Sequence, residues 1–191
     1  MSFDIYLIRH PQPDIDAGIC YGASDLAPVQ QHLEQVALFL QKNLDLSELK
    51  IYSSPLLRCT QLVKHLGLTH NIIQDFSEMG FGRWEGTAWD KIPSEEINAW
   101  RDDFHNYAAH GGESVSGFHR RVTQSLEQYV LPAAKDCAIF CHAGVIRSLL
   151  AHCGAVEIDQ GQRIELAYGG ITQLIYDGTL QVKNINLAME A

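Results

Sequence analysis

The sequence predicts an α/β protein: one three-layer αβα domain over residues 1–191, built on a doubly wound, mostly parallel sheet with an antiparallel C-terminal hairpin. Two observations carry the prediction. Short apolar runs alternate along the chain with amphipathic segments of helical period, the pattern of strand–helix–strand crossovers. Near the C-terminus two apolar runs meet at Asp177-Gly178, a hairpin turn signal.

The elements follow in order. Residues 3–9 read as a buried first strand ending at Arg9, and residues 10–28, rich in Pro, Gly and Asp, as a loop. From Gln30 to Asn43, Leu33, Val36, Ala37 and Leu40 recur at helical spacing. Lys50-Ile51-Tyr52 is a short strand. Ser54 is the expected cap and Pro55 the expected first residue of a helix carrying Leu56, Cys59, Leu62, Val63 and Leu66. Residues 75–112 are mostly irregular, with a helix expected over Ser94–Phe104 capped by Ser94. A segment that long without periodicity inside a compact domain is usually functional. From Ser114, positions Val115, Phe118, Val122, Leu126 and Val130 define a long amphipathic helix. Strand Ala138–Cys141 leads through His142-Ala143-Gly144 to a helix expected to begin at Val145 and to close at Gly154. Residues 170–187 form the hairpin.

Composition narrows the function. With 46% hydrophobic and 19% charged residues the chain is an ordinary globular one. A net charge of −9 without a basic stripe argues against a nucleic-acid partner, and any anionic substrate must be drawn in by a local cluster of cations. Five cysteines (Cys20, Cys59, Cys137, Cys141 and Cys153) without C-x-x-C spacing suggest free thiols in a reducing, cytoplasmic setting rather than disulfides or zinc. No signal peptide is expected, and no apolar run nears the ~18 residues of a membrane span. The oligomeric state is left open.

Three polar segments each follow a predicted strand directly: Arg9-His10, Ser53-Ser54 with Arg58, and His142-Ala143-Gly144. Open α/β sheets bind ligands beyond the carboxyl ends of their parallel strands, so the three are expected to converge. A His after a buried strand is, taken alone, most often structural; the joint pattern argues for more. Two histidines and two arginines around one anion suit phosphoryl transfer, whose transition state needs positioning and fixed positive charge. Arg9 and Arg58 can each offer paired N–H donors. Neutral His10 can attack phosphorus, and His142 can donate to the phosphoryl group in flight. Protonating the leaving oxygen requires an acid, for which Glu78 and Glu85 lie in a suitable Gly-rich loop. The remaining histidines show no metal-ligand spacing, so no metal or cofactor is expected, and His119-Arg120-Arg121 reads as a solvated helix face.

Leu7-Ile8-Arg9-His10, Ser53-Ser54-Pro55-Leu56-Leu57-Arg58-Cys59-Thr60-Gln61 and Cys141-His142-Ala143-Gly144-Val145-Ile146-Arg147 resemble, in order and spacing, the signatures of the histidine phosphatase (phosphoglycerate-mutase-like) superfamily. Ser77 to Gly86 looks like its acid-bearing segment and Gly111-Gly112-Glu113-Ser114 like its next loop. The resemblance implies that His10 is the nucleophile, that Arg9, Arg58 and His142 hold the phosphate, and that Glu78 rather than Glu85 is the proton donor. It implies a metal-independent phosphomonoesterase acting on a small-molecule phosphate monoester. The segment Gly18 to Leu26 is similar to the loop of alpha-ribazole phosphatases, which act in cobalamin assembly. Asp16 falls where the family places a phosphate-contacting Asn, and Pro11-Gln12-Pro13 replaces the usual Gly-Glu-Thr. Tyr21, Glu113 and Ser114 are expected near the leaving group, with Ala143 also in the substrate-binding set.

Two other functions compete. A phosphoglycerate mutase needs a second anion site, for which Ala88–Gly111 supplies only Lys91 and Arg101 as cations. A phospho-ligand-binding module without catalysis would not need the complete His/Arg/Glu set.

Overall fold

In the computed structural model, which describes residues 2–189, six strands form one mixed sheet in the order β3-β2-β4-β1-β5-β6. Met1, Glu190 and Ala191, the ends of the expected 1–191 domain, lie outside the described residues. The strands are β1 (Phe3–Arg9), β2 (Lys50–Ser53), β3 (Asn71–Ile72), β4 (Cys137–Cys141), β5 (Ile171–Tyr176) and β6 (Leu180–Leu187). The first four run parallel; β5 pairs antiparallel with β1 and turns back as β6 through Asp177-Gly178. The helices are α1 (Gln30–Asn43), α2 (Leu57–His65), α3 (Ser94–Asp102), α4 (Val115–Ser125) and α5 (Ala143–His152), and α4 runs on through one wide turn to Val130. The expected α/β architecture is the one observed.

The two faces of the sheet are separated by the pleat of its strands. Leu7, Tyr52, Ile139 and Cys141 point to the side covered by α4 and α5, where Phe118, Val122, Leu126, Ile146 and Leu149 meet them. Ile8, Ile51, Ala138 and Phe140 point to the other, against Leu33, Val36 and Leu40 of α1 and Leu62 and Val63 of α2. Burial on both faces makes β4 apolar throughout, as a central parallel strand must be.

Several details differ from the sequence expectation, each for a physical reason. Helix α2 starts at Leu57, not at Pro55: the Ser54 hydroxyl, shared with His142, accepts only the Leu56 N–H ahead of the helix (3.3 Å), and Asp25, from a distant loop, accepts the Leu57 N–H at 2.6 Å. Ser94 is the first residue of α3 rather than its cap, and the helix stops at Asp102. Strand β3 is a two-residue exposed edge, too short to carry an alternation pattern. Helix α5 begins at Ala143, two residues before the expected Val145. The five cysteines are unpaired, and among the described residues no helix is long and apolar enough to cross a membrane.

Candidate active site

The neighbours β2, β4 and β1 end level with one another. Register pairs Arg9 with Cys141 and Ser53 with Phe140, so Ser54, His142 and His10 leave the sheet side by side. Two more ladder bonds extend it, from the His10 N–H to the Cys141 carbonyl (3.0 Å) and from the Ser54 N–H to the Phe140 carbonyl (2.9 Å). The imidazoles of His10 and His142 face each other with centroids 5.0 Å apart, and both are buried, at 1% and 0% exposure.

Hydrogen bonding assigns their tautomers. Nδ1–H of His10 donates to the Pro11 carbonyl at 2.6 Å, which leaves the Nε2 lone pair as the nucleophilic atom. Pro11, which departs from the pattern of the resembled family, therefore orients the His10 imidazole through its carbonyl. Arg58 Nε donates to Nδ1 of His142 at 3.3 Å, and Nε2–H of His142 donates to Ser54 Oγ at 2.7 Å. Both His142 nitrogens are thus engaged, so a bond from His142 to a phosphoryl group requires exchange of one of these contacts. Burial, then the nearby guanidinium charges, holds both imidazoles well below the usual histidine pKa. They are neutral at pH 7, as nucleophilic attack requires.

Arg58 is fully buried. Its two terminal nitrogens donate to the Ser24 (2.6 Å) and Gly22 (2.7 Å) carbonyls. Arg9 donates to the Leu166 carbonyl, while its buried Nε has no partner among the described residues. Neither is ion-paired with a carboxylate among the described residues. Leaving the buried Arg58 and the half-buried Arg9 without a counter-ion is costly, and a phosphate dianion would suit the pair.

Beside this niche opens a cavity of about 260 Å³, whose wall includes Arg9, Tyr21, Glu78, Ala143 and Arg147, with Phe81, Trp89, Trp100, Phe104 and Phe118 also lining it. Glu78 is held at the cavity wall by the N–H groups of Met79 (3.0 Å) and Gly144 (3.1 Å). A side chain at Gly144 would have to displace the Glu78 carboxylate from this position. Glu85, the other candidate acid, is committed to the Ala23 and Phe81 N–H groups and the Ser24 hydroxyl, so it braces two loops.

Glu113 and Ser114, expected near the substrate, are engaged within the protein. Asp16 is exposed and does not line the cavity. Glu113 accepts both Nε (2.7 Å) and Nη2 (2.6 Å) of Arg121 and the Gly80 N–H. Burial opposes its ionisation, but the Arg121 bonds prevail and hold its carboxyl below the usual range. Ser114 caps α4 by accepting the Gly117 N–H at 3.1 Å. Arg121, read as solvated, instead also donates to the Asp75, Ser77 and Glu78 carbonyls, pinning the acid-bearing segment to α4. His119 likewise faces inward and bonds Ser148 Oγ at 2.8 Å.

Sequence reasoning missed two residues at the site. Arg147 lies one helical turn beyond Ala143, a spacing that could have placed it in the cavity, and its buried Nε has no partner among the described residues. Tyr168, whose ring stacks on Arg9, gave no signal beyond the Gly169-Gly170 that follows it. Lys91 and Arg101 are largely exposed and pair loosely with Asp90 and Asp102. Among the described residues no three His, Cys, Asp or Glu side chains gather as metal ligands.

Known proteins share this fold. A protein from Thermus thermophilus, TTHB049, superposes with a TM-score of 0.75 at 25% identity, covering 96% of this chain and 99% of that one. Phosphoserine phosphatase from Entamoeba histolytica, a variant bound to phosphoserine, gives 0.80 at 21% identity over 97% of both chains. A protein of Escherichia coli K-12 provisionally named an alpha-ribazole-5'-P phosphatase gives 0.82 at 19% over 96% of both. In sequence, the bovine 6-phosphofructo-2-kinase/fructose-2,6-bisphosphatase 1 is 28% identical over 153 residues, 78% of this chain, which spans only about a third (32%) of that protein. Residues 5–187 match the histidine phosphatase superfamily (branch 1), and the chain belongs to that family.

Proposed function

We propose that the protein is a metal-independent phosphomonoesterase that works through a phosphohistidine on His10. The observation that carries this reading is the pair of neutral imidazoles 5.0 Å apart, with His10 anchored through Nδ1 and flanked by two arginines that lack counter-ions among the described residues. Nε2 of His10 attacks phosphorus, the ester P–O bond breaks, and Glu78 gives its proton to the departing oxygen. Water then attacks the phosphohistidine, Glu78 takes back a proton, and inorganic phosphate leaves. Arg9 and Arg58 hold the equatorial oxygens throughout.

The aromatic wall supports a leaving group with a flat ring, since stacked rings gain from area burial and from ring–ring contact. Arg147 supports an oxygen acceptor between that ring and the phosphate. Alpha-ribazole 5'-phosphate, suggested by the resemblance of residues 18–26, combines both features and is the substrate we put first, within cobalamin biosynthesis. A second reading, a mutase or a phosphatase of a phosphorylated acid, has one observation in its favour: Arg147 is a cavity-lining cation whose Nε has no partner among the described residues.

A panel assay separates these. Alpha-ribazole 5'-phosphate, p-nitrophenyl phosphate, phosphoserine and 3-phosphoglycerate are each incubated with enzyme treated with EDTA. The proposal expects phosphate release unaffected by chelation, fastest on alpha-ribazole 5'-phosphate. Loss of activity on chelation overturns the mechanism; conversion of 3-phosphoglycerate to its 2-isomer as the main reaction overturns the substrate.

A further inference from the structure

The two phosphate-site arginines come from elements far apart in sequence, yet each lies on a tyrosine. Arg9 Cζ is 3.8 Å from the ring centroid of Tyr168, and Arg58 Cζ is 5.3 Å from that of Tyr21. The two tyrosine hydroxyls meet at 3.3 Å. Tyr168 also lies 5.6 Å from the His10 ring. A continuous chain of contacts, Arg9 to Tyr168 to Tyr21 to Arg58, therefore spans the niche beside the nucleophile.

We propose that Tyr168 and Tyr21 form a brace that sets the spacing and aim of the two guanidinium groups, which makes Tyr168 a positioning residue for phosphate. The proposal goes beyond the reaction assigned above, but it rests on that reading for the claim that Arg9 and Arg58 hold the phosphoryl group.

The two ends of the brace are mounted differently. Tyr168 precedes Gly169, whose N–H donates to the Arg9 carbonyl at 3.0 Å, and the Arg9 N–H donates to the Gly170 carbonyl at 3.0 Å. Gly169 has φ +75°, and a side chain there would strike Val36, so the turn is closed against α1 and the end of β1. Tyr21 instead sits in the loop whose Gly22 and Ser24 carbonyls receive Arg58, so the loop and the arginine fix each other. Burial, then the bond to Tyr168, raises the Tyr21 phenol, which keeps its proton and remains a donor. A cation over a ring face is held without using its edge N–H groups, so stacking leaves those donors for an anion. The Nε of Arg9, without a partner among the described residues, is one such donor.

The test is a double-mutant cycle of Tyr21→Phe and Tyr168→Phe, with Tyr168→Leu as a third variant. Two readouts are followed: kcat/KM on p-nitrophenyl phosphate, and protection of His10 from diethyl pyrocarbonate by inorganic phosphate, which needs no turnover. Each Phe variant is expected to weaken phosphate protection about tenfold, and the double variant no more than either single one, because both remove one shared contact. Tyr168→Leu, which also removes the stack on Arg9, is expected to lower kcat/KM at least about a hundredfold, and combining it with Arg9→Lys is expected to add little. Losses that multiply across the Phe cycle, or Phe variants that match the wild type, overturn the brace. Should the wild type fail to turn over but still show phosphate protection lost in the Phe variants, the catalytic reading falls and the brace stands.

Discussion

The phosphate niche and the leaving-group wall are built on opposite plans. The niche is made of residues at the ends of three parallel strands, where sheet register fixes every backbone to within one residue of its neighbours. The wall is made of Phe81, Trp89, Trp100 and Phe104, carried by short turns and helix α3, and packed mainly against one another. On the proposed reading, reaction type is tied to the rigid sheet, and substrate choice to a loop-borne aromatic cluster that can vary without disturbing the strands.

The comparison can be broken at either region. The largest effect is expected at the nucleophile: His10→Ala abolishes turnover, and residual activity above about one part in a thousand would show that another group attacks. Next comes Glu78→Gln, at the junction of the two regions. It is expected to slow alkyl phosphates by about 10²–10⁴ while leaving p-nitrophenyl phosphate, whose leaving group needs little help, far less affected. Equal losses would remove Glu78 from the proton-donor role. Removing the buried cation by Arg58→Met is expected to lose about 2–4 kcal/mol of transition-state binding for every substrate alike. A loss confined to one leaving group would place Arg58 in the wall instead. Trp100→Ala is expected to raise KM about tenfold for substrates with an aromatic leaving group and little for phosphoserine; a uniform loss would mean that Trp100 supports the fold rather than the substrate.

The niche also makes stability depend on pH. His10 and His142 have folded pKa values well below the ~6.5 of the unfolded chain, so the unfolded state binds the extra protons as pH falls. Their neutral burial is fully compatible with folding above pH ~6.5 and costs about 1.4 kcal/mol per histidine for each unit below it, until the folded pKa is reached. Urea midpoints are therefore expected to fall from pH ~7 to pH ~5. A flat profile would mean that the rings are solvated. In activity, the same shift moves the acid limb of kcat/KM below the ordinary histidine range.

The division of labour also explains what could be read from sequence. Arg9, His10, Arg58 and His142 were legible because each follows a strand end or opens the helix after one, and the parallel-sheet rule then brings strand ends together. The swap between Ser54 and Asp25 was not legible, because Asp25 caps α2 across a loop rather than through local sequence. Arg121 read as a surface charge because helical period marks a face and not what packs on it; here the 75–80 segment covers that face. For Glu113 and Ser114 the sequence did not show their partners, since the loop's side chains bond Arg121 and the start of α4, contacts that local pattern does not encode. Tyr168 depends on a long-range contact with Arg9 that no local pattern encodes.

The central claim concerns one atom, Nε2 of His10. Rapid quench of the enzyme with ³²P-labelled substrate, followed by peptide mapping, tests it most directly. The account expects label that is stable in base, labile in acid and confined to the peptide containing His10, formed and lost at rates no slower than turnover. Catalytic turnover with no label on that peptide, or label equally present in His10→Ala, would contradict it.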